Sequence, residues 1–203
     1  MALPYNLGVT LDRARASLAQ CDPEEIAKYK KVTWQPEKGL LSLPSLNEVY
    51  DITYPAGEVS TPLGEPVDPR FQVLILHYLL APGSGLRGQW ISFKELPGGL
   101  IYQQPFYGRA VLPLIHTFGP QPANLLQAGT ALGGRQVNQG DAAIEINPFP
   151  QLPVRLAIWA GDEEFPPSGT ILFDASAPDM LATEDFAVLA EYLVKRLKGL
   201  ARE

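Results

Sequence analysis

Three consecutive carboxylates, Asp162, Glu163 and Glu164, follow the apolar run Ile158-Trp159 by way of Ala160 and Gly161, and Phe165-Pro166-Pro167 closes the stretch. In an extended backbone, side chains two apart share a face with roughly 7 Å between their Cα atoms, so Asp162 and Glu164 can flank one cation or one substrate proton while Glu163 points away. A carboxylate pair near the end of an apolar strand can also push one pKa upward, as general acid–base work requires. The same three residues read equally as a solvated acidic turn or as one side of a salt bridge.

His77 and His116 are the two histidines. At helical spacing His77 shares a face with Val73, Leu74 and Leu80, which points it into the core or into a pocket within it. A neutral imidazole there can ligate a metal or the central ion of a tetrapyrrole or corrinoid, shuttle a proton, or rest on a single structural hydrogen bond. Arg109 shares a face with His116 and can either pair with the acidic run or hold a cofactor carboxylate through its planar fork. Trp90, Tyr78, Tyr102, Tyr107 and Trp159 can line a pocket for a flat ligand, although aromatics at such spacing also build cores. The candidate catalytic set is therefore Asp162, Glu164 and His77, and the candidate cofactor contacts are His77, Tyr78, Arg109 and Trp90. No metal is assigned.

The elements that must position these groups read as one α+β domain over residues 1–203, a mainly antiparallel sheet packed against several helices, because strands arrive in runs without sustained βαβ alternation. An N-terminal helical segment covers about 10–29, with Asp22-Pro23 as its second helix start. Period-two segments at 31–34, 40–43, 48–53 and 58–60, broken by turn residues, predict an antiparallel meander. Asp68-Pro69 starts an apolar helix through Leu80. Gly83-Ser84-Gly85-Leu86-Arg87-Gly88 matches the dinucleotide fingerprint in letters, but a helix precedes it and a strand follows, the reverse of the context that aims amides at a pyrophosphate. It reads instead as a helix end and a turn. Leu100-Ile101-Tyr102 reads as a short strand, Pro105 as a helix start, and Pro113 as a kink or restart within that helix. A helix over 122–132 and strands at 142–146, 153–160 and 170–173 follow. The C-terminal helix, about 184–200, has Thr183 as its predicted cap.

The 203 residues carry 16 basic and 22 acidic side chains, a net charge of −6. That field repels phosphate backbones and anionic membrane surfaces, so neither nucleic acid nor membrane is an expected partner. Cys21 is the single cysteine, which leaves no disulfide framework and no iron–sulfur cluster held by this chain alone, and points to a reducing cytoplasm. No leader and no run of ~18 apolar residues is visible.

The phrases Leu76-His77-Tyr78-Leu79, Trp90-Ile91-Ser92-Phe93-Lys94-Glu95-Leu96-Pro97-Gly98-Gly99 and Gly161-Asp162-Glu163-Glu164-Phe165-Pro166 together resemble the bacterial and archaeal family known as domain of unknown function 3786. The resemblance implies an origin largely in anaerobes, where some members carry an added cysteine-rich iron–sulfur module similar to those of corrinoid proteins. It implies a cytoplasmic small-molecule or cofactor-binding accessory domain of anaerobic metabolism, corrinoid-, tetrapyrrole- or redox-linked, acting beside a separate iron–sulfur or corrinoid protein. Two other readings stand beside it. One is an enzyme using the acidic cluster with a histidine and an arginine, and the other is a protein-docking scaffold without a ligand.

Overall fold

The computed structural model describes residues 7–83 and 85–201. The chain divides at the Gly83–Ser84 junction into two compact units, each with helices and its own antiparallel sheet.

The first unit contains α1 (Leu7–Leu18), α2 (Pro23–Lys30), β1 (Thr33–Gln35), β2 (Leu40–Ser45), β3 (Glu48–Thr53), β4 (Val59–Ser60) and α3 (Pro69–Leu80). Both Asp-Pro pairs start helices as their chemistry dictates. The Asp22 carboxylate accepts the Glu24 N–H at 2.9 Å and that of Asp68 accepts the Arg70 N–H at 2.8 Å, while each proline fills the first turn, where no amide is needed. The strands form the expected meander in the order β1-β2-β3-β4. Period two puts Leu41 opposite Ile52 and Leu43 opposite Tyr50, all buried, and Phe71 of α3 meets the Tyr50 ring edge-on at 5.3 Å. On α1, Arg15 donates to the Gly57 carbonyl at 3.2 Å. Gly57 has φ +69, and a Cβ there would stand 2.8 Å from Arg15 Cγ, so both backbone and packing call for glycine.

The second unit holds β5 (Trp90–Ser92), α4 (Gly99–Phe106), a π-helical turn (Tyr107–Val111), α5 (Leu112–Phe118), α6 (Ala123–Ala131), β6 (Arg135–Gln136), β7 (Ala142–Phe149), β8 (Leu152–Trp159), β9 (Ser168–Asp174) and α7 (Thr183–Leu200). Its sheet runs β5-β9-β8-β7-β6. Register aligns Ile144, Leu156 and Ile171 in one row and Ile146, Val154 and Phe173 in the next, all buried on the face that takes the helices. There α6 lies so close to β7 that a Cβ at Gly129 would stand 2.4 Å from Ile144 Cγ1. The α7 stripe of Phe186, Leu189, Leu193 and Leu197 is buried, with Phe186 4.8 Å from the Phe173 ring.

Four sequence expectations are corrected here. Leu100, Ile101 and Tyr102 lie in the first turns of α4 rather than in a strand. The helix is fixed at Gly99, where a Cβ would stand 1.9 Å from the Phe93 carbonyl oxygen, and at Phe106, whose ring stacks on Phe93 at 4.0 Å. Pro105 accordingly sits inside that helix and does not start it. Thr183 does not cap α7, because its hydroxyl donates to the Pro97 carbonyl at 2.7 Å and Ala182 takes the cap position. No break occurs at Pro113: it lies in the first turn of α5, which continues the π-helical turn without interruption, and the irregularity falls in that turn, just before the proline. Among the described residues no helix is long and apolar enough to cross a membrane.

Candidate functional site

The loop between β8 and β9 turns instead of running on extended, so Asp162 and Glu164 are not two equivalent carboxylates on a strand face. Asp162 Oδ1 accepts the N–H groups of Glu164 at 2.9 Å and Phe165 at 2.7 Å, and the Asp162 N–H donates to the Phe165 carbonyl at 2.9 Å. These backbone bonds, that from Phe165 foremost, hold its carboxyl below the ordinary aspartate value, which suits a turn and opposes proton exchange near neutral pH. Glu163 and Glu164 are exposed. Together with Gly119 and Pro120 the loop lines a depression of about 420 Å³. Gly161 is required by that turn, since a Cβ would come within 2.7 Å of Pro167 Cδ. The adjoining turn, lined by residues 136–143, forms a second depression of about 410 Å³ and is tied to the first where Asp141 Oδ2 accepts the Ala160 N–H at 2.8 Å. No group of three or more metal-ligating side chains occurs among the described residues.

Arg109 lies in the π-helical turn, exposed, and among the described residues it forms no ion pair or hydrogen bond, with the acidic run or otherwise. His116 is also exposed. His77 belongs to the first unit and is half-buried on α3, not enclosed in its core. Its neighbour Tyr78 is fully buried, and its hydroxyl donates to the Lys30 carbonyl at 3.1 Å. Over the Tyr78 ring, 4.9 Å from its centroid, sits the ammonium of Lys30, a residue only 2 % exposed whose Nζ has no hydrogen-bond partner. Burial brings its pKa down from 10.5 to about 8 and pushes the Tyr78 hydroxyl up.

Trp90 is half-buried on β5 with one face covered by the Arg155 guanidinium, 4.0 Å from the ring centroid. Arg155 Nη2 reaches Glu145 Oε2 at 3.0 Å, and Arg135 donates to Glu145 Oε1 through Nη2 at 2.6 Å and Nε at 3.1 Å. A row of Arg135, Glu145 and Arg155 thus crosses three strands in register, with Glu145 buried between the two cations. The glycine-rich loop is likewise occupied from within. Asp174 accepts the Arg87 N–H at 2.9 Å and the Gly88 N–H at 2.7 Å. Burial alone would raise the Asp174 carboxyl, but the bonds from Ser176, Arg87 and Gly88 together hold it below its ordinary value. The loop amides cradle an internal carboxylate where a dinucleotide site would present them to a phosphate.

Sequence reasoning overlooked Lys30, Glu145 and Arg155, and it overlooked the surface of α4. Glu145 and Arg155 carry a signal, since each is a lone charge inside an otherwise apolar strand and such charges need partners. On α4, Leu100 is 71 % exposed, Ile101 80 % and Tyr102 45 %, and Tyr107 in the π-helical turn is 45 % exposed. Residues 96–140 contain no aspartate or glutamate, although the exposed Glu95 directly precedes them and the exposed Glu184 follows Thr183, which bonds Pro97. Large exposed apolar residues gathered on one helix mark a contact surface more readily than a reaction centre.

No curated protein and no solved structure matches the chain. The family model does match, over residues 22–196, and takes in the first-unit pair Lys30 and Tyr78, the α4 surface and the acidic turn alike. The chain belongs to the family described as domain of unknown function DUF3786.

Proposed function

We propose that this chain is a cytoplasmic accessory domain that works by docking onto another protein chain through α4 and the π-helical turn. The observation that carries this reading is the exposure of Leu100, Ile101 and Tyr102 around the first turn of α4, with Tyr107 and Arg109 in the π-helical turn beyond. Such a gathering favours an occupant, because each large apolar side chain covered on docking contributes on the order of 1.5–3 kcal/mol. A π-helical turn, which strains the regular ladder, recurs at functional positions. The free thiol Cys21 suits a reducing compartment, and the resemblance to proteins of anaerobes makes a redox or corrinoid protein the class of client to try first. A benzophenone photocrosslinker at position 101, with position 163 as the exposed control, tests the role in cells. Protein adducts at 101 and none at 163 are expected. No adduct at 101 refutes the docking role.

A cofactor-binding reading has one observation in its favour, the unpartnered amine of Lys30 above Tyr78, which would pair with an anionic group of a corrinoid or tetrapyrrole side chain. Anaerobic purification followed by an absorption spectrum and elemental analysis checks it, and a colourless, metal-free protein that binds neither added haem nor corrinoid refutes it. Support for an acid–base enzyme is weaker, since Asp162 is committed to backbone amides.

A further inference from the structure

We infer that the depression lined by residues 136–143, with the Trp159 indole at its edge, binds a neutral, hydroxyl-rich small molecule of the saccharide class. The site shares no residue with the α4 surface and stands or falls apart from docking there.

Its wall is the turn that joins β6 to β7, and Gly140 decides how closely that turn lies on β8. Gly140 has φ +59, a conformation glycine adopts freely, and a Cβ there would stand 2.5 Å from the Ile158 carbonyl oxygen and 3.1 Å from Trp159 Cε2. The missing side chain therefore brings the indole against the turn. Asp141 clamps the same place, since its N–H donates to the Ile158 carbonyl at 2.9 Å and its Oδ2 accepts the Ala160 N–H at 2.8 Å. The enclosed volume is about 410 Å³, within the range of roughly 300–1,000 Å³ usual for small-molecule sites.

The polar groups of this depression are uncommitted, unlike those of the glycine-rich loop and the Glu145 row. Gln136, Asn138 and Gln139 line it with side-chain amides, each a donor and an acceptor, and Asp141 keeps Oδ1 as a further acceptor. Among the described residues these amides, Asp141 Oδ1 and the Trp159 indole N–H make no hydrogen bond within the chain. Mixed donors and acceptors match hydroxyl groups, each of which gives one hydrogen bond and accepts others. Trp159 is 38 % exposed, so its flat ring can cover the C–H face of a sugar while the amides and the carboxylate take the hydroxyls.

Other ligand classes fit less well. No lysine or arginine lines the depression, and Asp141, with the exposed Glu163 and Glu164 on the loop it is tied to, repels anions. A large apolar ligand would find only the half-buried Val137 and the buried Ala142 and Ala143 beside the polar groups. A cation would pair with Asp141 but would offer the three amide NH₂ groups no acceptor.

Two-dimensional amide NMR of the full chain tests the site, with glucose, galactose, mannose, xylose and N-acetylglucosamine each titrated to about 20 mM. The indole N–H of Trp159 gives its own resonance, identified by its loss in Trp159→Phe. Saturable shifts of that resonance and of the amides of 136–143 are expected with at least one of these sugars. Asn138→Ala, at an exposed position, is expected to weaken binding about tenfold with no change in melting temperature, and Glu164→Gln on the neighbouring loop is expected to bind as wild type does. Methylguanidinium and inorganic phosphate serve as the cationic and anionic probes. No shift at these positions with any of the five sugars overturns the inference, and so does sugar binding that Asn138→Ala leaves intact. Shifts with methylguanidinium or phosphate and with none of the sugars overturn the saccharide assignment.

Discussion

Replacing Lys30 with methionine should stabilise the protein, and by an amount that depends on pH in a defined sense. Lys30 is 2 % exposed and its Nζ lacks a hydrogen-bond partner, so folding carries an ammonium out of water and sets it over the Tyr78 ring. The folded pKa lies at about 8 against 10.5 for the ordinary side chain, a gap worth ~3 kcal/mol in favour of the unfolded chain wherever both forms are protonated. The sign follows from proton counts. Below pH 8 folded and unfolded chains bind the same proton and the full penalty stands. Between 8 and 10.5 the unfolded chain holds more protons, so stability rises with pH, and above 10.5 the penalty is gone. Methionine keeps the buried stem and removes the charge. Lys30→Met should therefore gain up to ~3 kcal/mol near pH 7 and fall back toward wild type as the pH approaches 10.5. Urea unfolding of both proteins at a series of pH values measures the difference, and the pair cancels the titration of other groups. A loss of stability in the variant near neutral pH, or a gap that does not change with pH, would refute the account of Lys30 as an unpaired buried cation.

Glu145→Ala leaves Arg155, whose side chain is 20 % exposed, without its counter-charge, and chemical denaturation should show a loss of roughly 3 kcal/mol. Gly129→Ala sets a helix-propensity gain of about 1 kcal/mol against a clash with Ile144 that costs about 1–3 kcal/mol, so its melting temperature should fall. Asp162→Ala removes a carboxyl whose folded pKa lies below 3.8, a group that stabilises above that value and loses its effect as the pH falls through the folded value. The variant should show a shallower acid limb in unfolding curves, and an unchanged limb would remove Asp162 from the turn's energetics.

The features that local chemistry decides were legible before any coordinates. Asp22-Pro23 and Asp68-Pro69 start helices because the side-chain oxygen and the missing amide act within three residues of chain. The meander follows from period two, which fixes which side of β2 and β3 meets α3. Leu100-Ile101-Tyr102 was not legible, since three apolar residues carry no period of their own and the decision falls to Gly99 and Phe106, which both pack on or beside Phe93. Thr183 reads locally as a helix cap, but its hydroxyl is taken by a distant carbonyl, that of Pro97. Lys30 lies in the sequence Lys28-Tyr29-Lys30-Lys31, which reads as a solvated face, whereas in the fold it is buried and meets Tyr78 from 48 positions away.

Three carboxylates of the second unit that invite a chemical role are already committed to holding it together. Asp162 is bound by two amides, Asp174 closes the glycine-rich loop, and Glu145 is shared between two arginines, one of which covers Trp90. A carboxylate in that position would have to surrender strong hydrogen bonds before it could move a proton or bind a cation, and the turn or sheet row it supports would loosen as it did so. Leu100, Ile101, Tyr102 and Tyr107, with Arg109 in the same helical stretch, are among the groups of this unit that have no such duty, as are Leu86, Trp159 and Phe165. The docking role proposed for α4 draws on surface left uncovered, whereas Asp162 in the acidic turn serves to carry β8 into β9.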